Sequence, residues 1–445
     1  MRDNKKVLDL KKNIKEAKKK IREQKKIIRK EKIKEFKKSK FGKYIGKVLF
    51  IFSDKDYYTF SEMFAVTIIS LIVGVFACFS VFTIVSGGRN YFKVSKQLKK
   101  FYDVYDVLID NYNGDIDEDE LIENAINGMV SGVDDIYTSY SSPSKTDNFN
   151  EMVSGTYEGI GCTIQQVDNA IRVVEVYEKS PAFKAGLKAD DVIKSVDSIE
   201  AIKLGTSKLA EYIKNEAKGK VTMVIVRGEE EKTLVLERSK VEIPTVSSKV
   251  FTKNDKKIGY IRIGLFSSVA DKQFKNKLAE MEKENIKGLV IDVRDNNGGY
   301  LSTVTNIASM LLPKGKVIYQ VSKDDKKVAT KDKTSEKREY PIAIITNESS
   351  ASASEILAAA IKESYKGFVV GEKTYGKGTV QQVKKLSDGS MIKYTVENWL
   401  TPDGNWINEK GVEPTNKVSI GEKYIQEPNE ENDMQIQKAL ELVSE

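Results

Sequence analysis

Apolar residues follow several rhythms along this chain, and each rhythm predicts a different kind of element. Near the start Val7, Leu10, Ile14, Ala17 and Ile21 recur at spacings of three and four. That is the period of one helix face, and it lasts about two heptads before Gln24 and Glu31 break it. From Met63 to Val85 (MFAVTIISLIVGVFACFSVFTIV) no residue is charged. FKVSKQLKKFYDVYDVLID at 92–110 returns to helical spacing, with Val94, Leu98, Phe101, Tyr105 and Leu108 on one side. DIDEDELIENAINGMVSGV at 115–133 predicts a second helix closed near Gly132, and Ser-Ser-Pro-Ser at 141–144 reads as a turn-rich linker.

Over 156–238 the pattern is that of a compact β-rich module. IRVVEVYEKSPAFKAGLKADDVIKSVDS predicts strand, Ser-Pro turn, short helix and strand. TSKLAEYIKNEAKGK predicts an amphipathic helix, and VTMVIVRGEEEKTLVLERSK a hairpin across Arg227–Glu230. From about 257 strands alternate with helices: KIGYIRIGLF, KGLVIDVRD, YPIAIITN and GFVVGEKT with VADKQFKNKLAEMEKEN, STVTNIASMLLP and SEILAAAIKESY. This is α/β order. ENDMQIQKALELVSE closes the chain as one more helix, and no internal repeat is present.

Charge changes the picture of the first third. Residues 1–60 carry 22 Lys+Arg against 8 Asp+Glu, a net of +14, while the remainder carries 51 against 57, a net of −6. A basic head on a mildly acidic body argues against nucleic-acid binding by the body and suggests that the head faces something anionic. The 23 uncharged residues 63–85 make a helix of about 34 Å, enough to cross a hydrocarbon core of about 30 Å. A signal peptide has a short charged start and a shorter apolar run, whereas sixty residues precede this one. The expectation is a retained single-pass anchor, with the lysine-rich head in the cytoplasm and everything after Gly88 outside. The head then lies as a solvated helix against anionic lipid, or forms a short coiled coil. At 445 residues there is length for two or three cored domains. Cys78 lies in the apolar run and Cys162 beyond it, so no disulfide joins them, and the chain has no histidine.

Without histidine, a nucleophilic serine needs another base. The strand YPIAIITN runs into Ser349, Ser350, Ser352 and Ser354 and then a helix, the place in an α/β domain where free N–H groups become available. Taken alone, these serines are helix caps. In TYGKGTVQQ, Lys377 stands between Gly376 and Gly378, whose missing Cβ atoms let the backbone pack tightly and turn the lysine inward. A lysine drawn from water loses the hydration of its charged form and can serve as general base; left outward, it is an ordinary turn lysine. Gln381, four residues on, can accept a hydrogen bond from that amine. DVRDNNGGY at 292–300 and the N–H of Ala353 are candidate donors to a developing oxyanion.

Ordered along the chain, these segments resemble the C-terminal processing peptidases, or tail-specific proteases, over about 95–445. The run Ser350-Ala351-Ser352-Ala353-Ser354-Glu355-Ile356 matches the family's nucleophile motif and implies Ser352. The T-[FY]-G-K-G-x-V-Q motif implies Lys377 as base and Gln381 as its orienting residue. The D-[LV]-R-x-N-x-G-G motif at Asp292–Gly299 implies Gly298 as oxyanion donor beside Ala353, and TPDGNWINEKGVEPT at 401–415 matches the family's closing segment. The module at 156–238 resembles the family's PDZ domain, which implies that Gly159, Ile160 and Gly161 of EGIGCTI grip a peptide carboxylate. Arg227 is a candidate for coupling peptide capture to the active site. One departure is Asp134-Asp135-Ile136-Tyr137-Thr138, where the family has a proline at 136. The expected effect is on linker geometry, not on chemistry.

The resemblance implies an α/β protease core of the crotonase/ClpP-like type with an inserted β-rich PDZ domain, N-terminal helices and a single transmembrane helix. The expected segments are a basic cytoplasmic stretch (1–60), the membrane helix (61–87), a helical dimerisation region (92–145), the PDZ domain (156–238), the protease core (239–420) and a C-terminal helix (421–445). It implies a membrane-anchored serine endopeptidase acting on proteins recognised by their C-termini. No cofactor or metal is implied, and a homodimer would be held by helices at 92–133 and 423–445. The alternatives are a PDZ adaptor that collects C-termini at the membrane without catalysis, and an α/β acyl-CoA-type enzyme.

Overall fold

The protein is described by a computed structural model covering residue 38 and residues 59–85, 95–216, 219–324, 326–334 and 338–445, with the side chains of 61, 62, 65, 79, 81–85, 95–97, 215 and 216 excepted. The basic head and its apolar stripe therefore lie, Lys38 apart, outside the described residues. The chain divides into two units, 1–116 and 117–445.

The first unit contains α1 (Phe60–Val85) and α2 (Ser95–Asn111). Among the described residues no helix is long and apolar enough to cross a membrane. The backbone of α1 is nevertheless helical over 26 residues. Its described apolar side chains face outward, with Leu71 66% and Phe76 68% exposed. Along α2 the expected stripe residues Leu98 and Phe101 are also exposed.

The second unit opens with α3 (Glu118–Ser131), capped by Asp117, whose carboxylate accepts from Glu120 N–H at 3.0 Å. After β1 (Ser139–Ser141) comes α4 (Pro143–Ser154). Ser-Ser-Pro-Ser is thus a helix start and not a linker. Ser142 is the N-cap in extended conformation and Pro143 supplies the pre-set φ of a first helical residue.

The β-rich module follows: β2 (Thr156–Gly159), β3 (Cys162–Val167), β4 (Ala170–Val176), α5 (Pro181–Lys184), β5 (Val192–Val196), β6 (Ile199–Glu200), α6 (Ala201–Glu211), β7 (Lys220–Arg227), β8 (Glu230–Glu237) and β9 (Ser239–Glu242). Its sheet has the order β3-β4-β5-β7-β8, with β6 on β5. The β7–β8 hairpin closes on the Arg227–Glu230 pair, as the sequence pattern predicts. Ile171, Val173, Ile193, Leu209, Met223 and Ile225 form a separate core. At the module's base Lys214 Nζ lies 2.7 Å from Glu151 of α4.

The α/β part contains β10 (Val246–Lys253), β11 (Lys256–Ile263), α7 (Ala270–Lys283), β12 (Gly288–Asp292), α8 (Leu301–Leu311), β13 (Val317–Lys323), β14 (Lys326–Lys331), β15 (Ile342–Thr346), α9 (Ala353–Ala359), β16 (Phe368–Gly371), β17 (Thr379–Lys385), β18 (Met391–Leu400), β19 (Asn416–Lys417), α10 (Glu422–Gln426) and α11 (Met434–Ser444). One sheet runs β10-β11-β12-β15-β16-β19, parallel from β11 onward. Both faces are covered, so β12 and β15 are buried at every position, unlike the half-buried alternation of a surface strand. Leu289, Ile291, Ile342 and Ile344 pack toward α7, α8 and α9; Val290, Ala343 and Ile345 pack toward Ile436, Ala439, Leu440 and Val443 of α11. The apolar face of α11 is therefore covered within its own chain. A second, antiparallel sheet joins β1, β18, β13 and β14, with β17 on β18.

Candidate active site

Strands β12 and β15 are neighbours, and their carboxyl ends deliver the two loops that matter. In open α/β sheets that end is where ligands find free backbone groups. After β15 the chain makes a tight turn whose serines take different roles. Ser350 is fully buried, donating to Val293 O at 2.8 Å and accepting from Asn347 N–H at 3.0 Å. Ser354 is also buried and donates to Asn296 O at 2.8 Å. Both bind the turn to the loop after β12. Ser352 alone adopts a left-handed φ of 55° at the entrance of α9, half-buried, and such strain in a non-glycine residue is a mark of functional turns. Ser352 is the N-cap of α9 and forms a capping box with Glu355, whose carboxylate accepts from Ser352 N–H at 2.8 Å while the Glu355 N–H also reaches the Ser352 carbonyl at 2.9 Å. The N-cap position of α9 thus falls on Ser352 itself, whereas Ser350 and Ser354 tie the turn to the neighbouring loop and do not cap the helix.

Glu355 joins this turn to the one carrying Lys377. Fully buried, it accepts from Ser352 N–H (2.8 Å), Lys377 N–H (2.9 Å), Gly376 N–H (2.7 Å) and Thr374 Oγ1 (2.6 Å). The Ser352 and Lys377 amides share the same oxygen, Oε2, so the two backbones lie within two hydrogen-bond lengths of each other. Burial raises the Glu355 pKa while these donors oppose it. Sequence reading missed this residue, because a glutamate three positions after a serine carries the same signature whether it caps a helix or bridges two loops.

The glycines flanking Lys377 act as expected. A Cβ on Gly378 would meet Asn408 N at 2.7 Å, and one on Gly376 would meet the 409–411 backbone at 3.0 Å. Trp399 Nε1 donates to Lys377 O at 2.7 Å. The side chain is driven inward. Burial and then the like charge of Lys393 lower its pKa to about 8, against opposite pulls from Glu355 and Asp135. Its Nζ rests 4.7 Å from the centre of the Tyr137 ring. Among the described residues no hydrogen bond joins it to Ser352 Oγ.

Two expected contacts take another form. The Gly298 N–H is donated to Asn296 Oδ1 at 2.9 Å and so is not free for an oxyanion, although Gly298 sits against the nucleophile turn: a Cβ there would meet Ser352 Cβ at 2.9 Å. Ala353, the first residue of α9, makes no N–H hydrogen bond that is seen among the described residues. Gln381 lies on β17, where Nε2 donates to Thr379 Oγ1 (2.8 Å) and Thr395 Oγ1 (3.3 Å); no hydrogen bond joins it to Lys377 among the described residues. A bulge between Val380 and Gln381 shifts its register on β18.

In the β-rich module, β3 is an edge strand. Before it, Gly159 ends β2, Ile160 is buried and its carbonyl accepts from Ala182 N–H at 2.8 Å, while Gly161 O accepts from Tyr177 N–H at 3.0 Å. The ring of Tyr157 lies over Gly159, where a Cβ would meet it at 2.3 Å, and its hydroxyl faces the N–H groups of Gly161 and Cys162. Arg227 donates to both carboxylate oxygens of buried Asp191 (2.6 and 2.7 Å) and to Gly186 O at 2.7 Å. Arg227 is thus a brace within the module.

Residues 257–418 match the sequence model of peptidase family S41, residues 172–227 that of a PDZ domain, and residues 80–144 that of the N-terminal domain of the activating protease CtpB. The carboxy-terminal processing protease CtpB of Bacillus subtilis (strain 168) is 38% identical over 345 residues, spanning 75% of this chain and 71% of that protein. The chain belongs to peptidase family S41. It is a C-terminal processing serine protease with a PDZ domain, which sets aside the acyl-CoA enzyme and the catalytically silent adaptor. A probable CtpA-like serine protease of Staphylococcus aureus (strain COL), another S41 relative, is 34% identical over 357 residues, covering 78% of this chain and 71% of that one. Among solved structures, the photosystem II D1 C-terminal processing protease aligns with a TM-score of 0.44 at 27% identity, over 75% of this chain and 87% of that one.

Proposed function

We propose that this S41 protease is a membrane-anchored, extracytoplasmic endopeptidase that takes proteins by their C-terminal ends and cleaves them with a Ser352–Lys377 pair. The observation that carries the reading is the Glu355 carboxylate, which holds the backbones of both residues on one oxygen while the lysine is kept from water. The Lys377 amine, neutral above about pH 8, turns from Tyr137 to take the Ser352 proton as Oγ attacks the scissile carbonyl carbon. Ala353 N–H meets the oxyanion, and Gly298 N–H joins it by exchanging Asn296 Oδ1 for the substrate oxygen. The ammonium then returns its proton to the leaving amine, and water repeats the cycle on the acyl-enzyme. Gln381, released from Thr379, aligns the amine. In the PDZ domain Gly159, Ile160 and Gly161 receive the terminal carboxylate while the substrate extends the β3 edge. The anchor reading is supported by the uncharged run 63–85, by the helical backbone of α1 and by the +14 head; exposed apolar residues on α2 support a homodimer through that helix.

The test uses the full chain in detergent with β-casein as an unfolded substrate. The native protein degrades it, and Ser352→Ala and Lys377→Ala each abolish cleavage. Equal activity in Ser352→Ala would end the assignment. The rate climbs with pH through about 8 as Lys377 loses its proton, and EDTA leaves it unchanged.

A further inference from the structure

Tyr137 belongs to the turn in which the family's proline is replaced by Ile136, and this turn is built against the catalytic lysine. The Asp135 carboxylate accepts from Tyr137 N–H at 3.0 Å and from Thr138 Oγ1 at 2.6 Å, giving the turn a fixed shape. Beyond it β1 pairs with β18, placing Ser139 opposite Lys393. The Tyr137 ring thereby comes to lie 4.7 Å from Lys377 Nζ. Its hydroxyl faces Tyr375, two residues before Lys377, and Asp135 faces Thr395, the residue paired with Gln381. Burial pushes the Tyr137 phenol up to about 12, so it stays neutral and acts as a wall and not as an acid.

We propose that Tyr137 is the positioning residue of Lys377, its ring forming the wall that keeps the amine out of water inside the 372–378 turn. The inference rests on the reading of Lys377 as general base. Two effects of the ring oppose each other. Its face attracts an ammonium by about 0.5–1 kcal/mol at an exposed site and about 2 when desolvated, which favours the charged form. Its bulk excludes water, which disfavours that form. The other groups facing the amine are Lys393 from β18, which favours the neutral form, and Glu355 from α9 and Asp135 from the turn itself, which favour the charged one. Burial is the first cause of the lowered lysine pKa, and the ring, with its centre 4.7 Å from the amine, is part of what buries it. Removing the ring should therefore return the amine toward its ordinary value.

The experiment is the pH dependence of kcat/KM for a quenched peptide substrate, measured with the full chain. In Tyr137→Ala the acid limb should move up by about one unit, lowering the rate roughly tenfold at pH 7 and recovering it at high pH. Tyr137→Phe, which keeps bulk and aromatic face, should hold the limb near that of the native protein, and Tyr137→Leu, which keeps bulk without the face, should leave it at or below the native position, even if the alanine variant folds poorly. An unmoved or lowered limb in Tyr137→Ala, or a limb in Tyr137→Phe displaced as far as in Tyr137→Ala, overturns the inference. A limb in Tyr137→Leu raised as far as in Tyr137→Ala would also overturn it, because the bulk of the residue would then not be what excludes water. Activity surviving in Lys377→Ala would instead strike the reading beneath it, so the two failures are separable.

Discussion

A single carboxylate carries much of the site's order. Glu355 receives one hydroxyl and three amide donors in a fully buried position, and charge-assisted bonds of this kind are roughly twice as strong as neutral ones. Glu355→Gln keeps the shape but turns an amide NH2 toward N–H donors and removes the charge. The expected cost is about 2–4 kcal/mol in chemical denaturation, with activity falling more than about a hundredfold, because the two loops lose their common anchor. Native stability with native activity would remove Glu355 from the account. Asn296 works similarly on the neighbouring loop: its Nδ2 donates to Ile263 O at 2.8 Å, and its main-chain oxygen accepts from Ala351 N–H and Ser354 Oγ.

Among elements, α11 matters in a way its sequence pattern does not announce. Arg294, two residues past β12, donates to Asp292 at the end of that strand and to Asp433 (2.7 Å) and Gln435 (2.9 Å) at the start of α11. All four side chains are buried. This arginine pins the last helix to the strand from which the 293–300 loop departs. Arg294→Met takes the guanidinium from two buried carboxylates, leaving Asp292 with Tyr260 and Arg262 and Asp433 with the first N–H groups of α11, and should cost about 3 kcal/mol in denaturant unfolding. Hydrogen exchange should show the amides of 434–444 opening first. Protection that stays unchanged there would mean that apolar packing against β12 and β15 holds the helix unaided.

For the whole molecule, the proposed topology separates a basic head from an external protease. After alkaline carbonate extraction of cells the full chain should stay with the membrane pellet, and a variant lacking 61–87 should not. Protease added to intact cells should digest 95–445 and spare 1–60. Release of the native chain by carbonate, or digestion of the head before the body, would contradict the anchor and its direction.

Much of this was legible in the residues themselves, because local chemistry speaks through near neighbours. The alternation of strands and helices after 257, the hairpin at 220–237, and glycines placed where a Cβ would strike the 406–411 segment are consequences of backbone geometry and side-chain period. Ser352 and Lys377 were legible only through the likeness of Ser-Ala-Ser-Ala-Ser-Glu and Gly-Lys-Gly to the family's motifs, since local chemistry alone reads them as a helix cap and a turn lysine. What only the tertiary structure decided is what faces what: which serines are buried, where the Gly298 N–H and the Gln381 amide point, that Glu355 spans two loops, and that Tyr137, from the far side of the PDZ insertion, lies over Lys377. Those contacts join segments distant along the chain, and the packing of β12, β15 and β18 determines them, not the propensity of any one stretch.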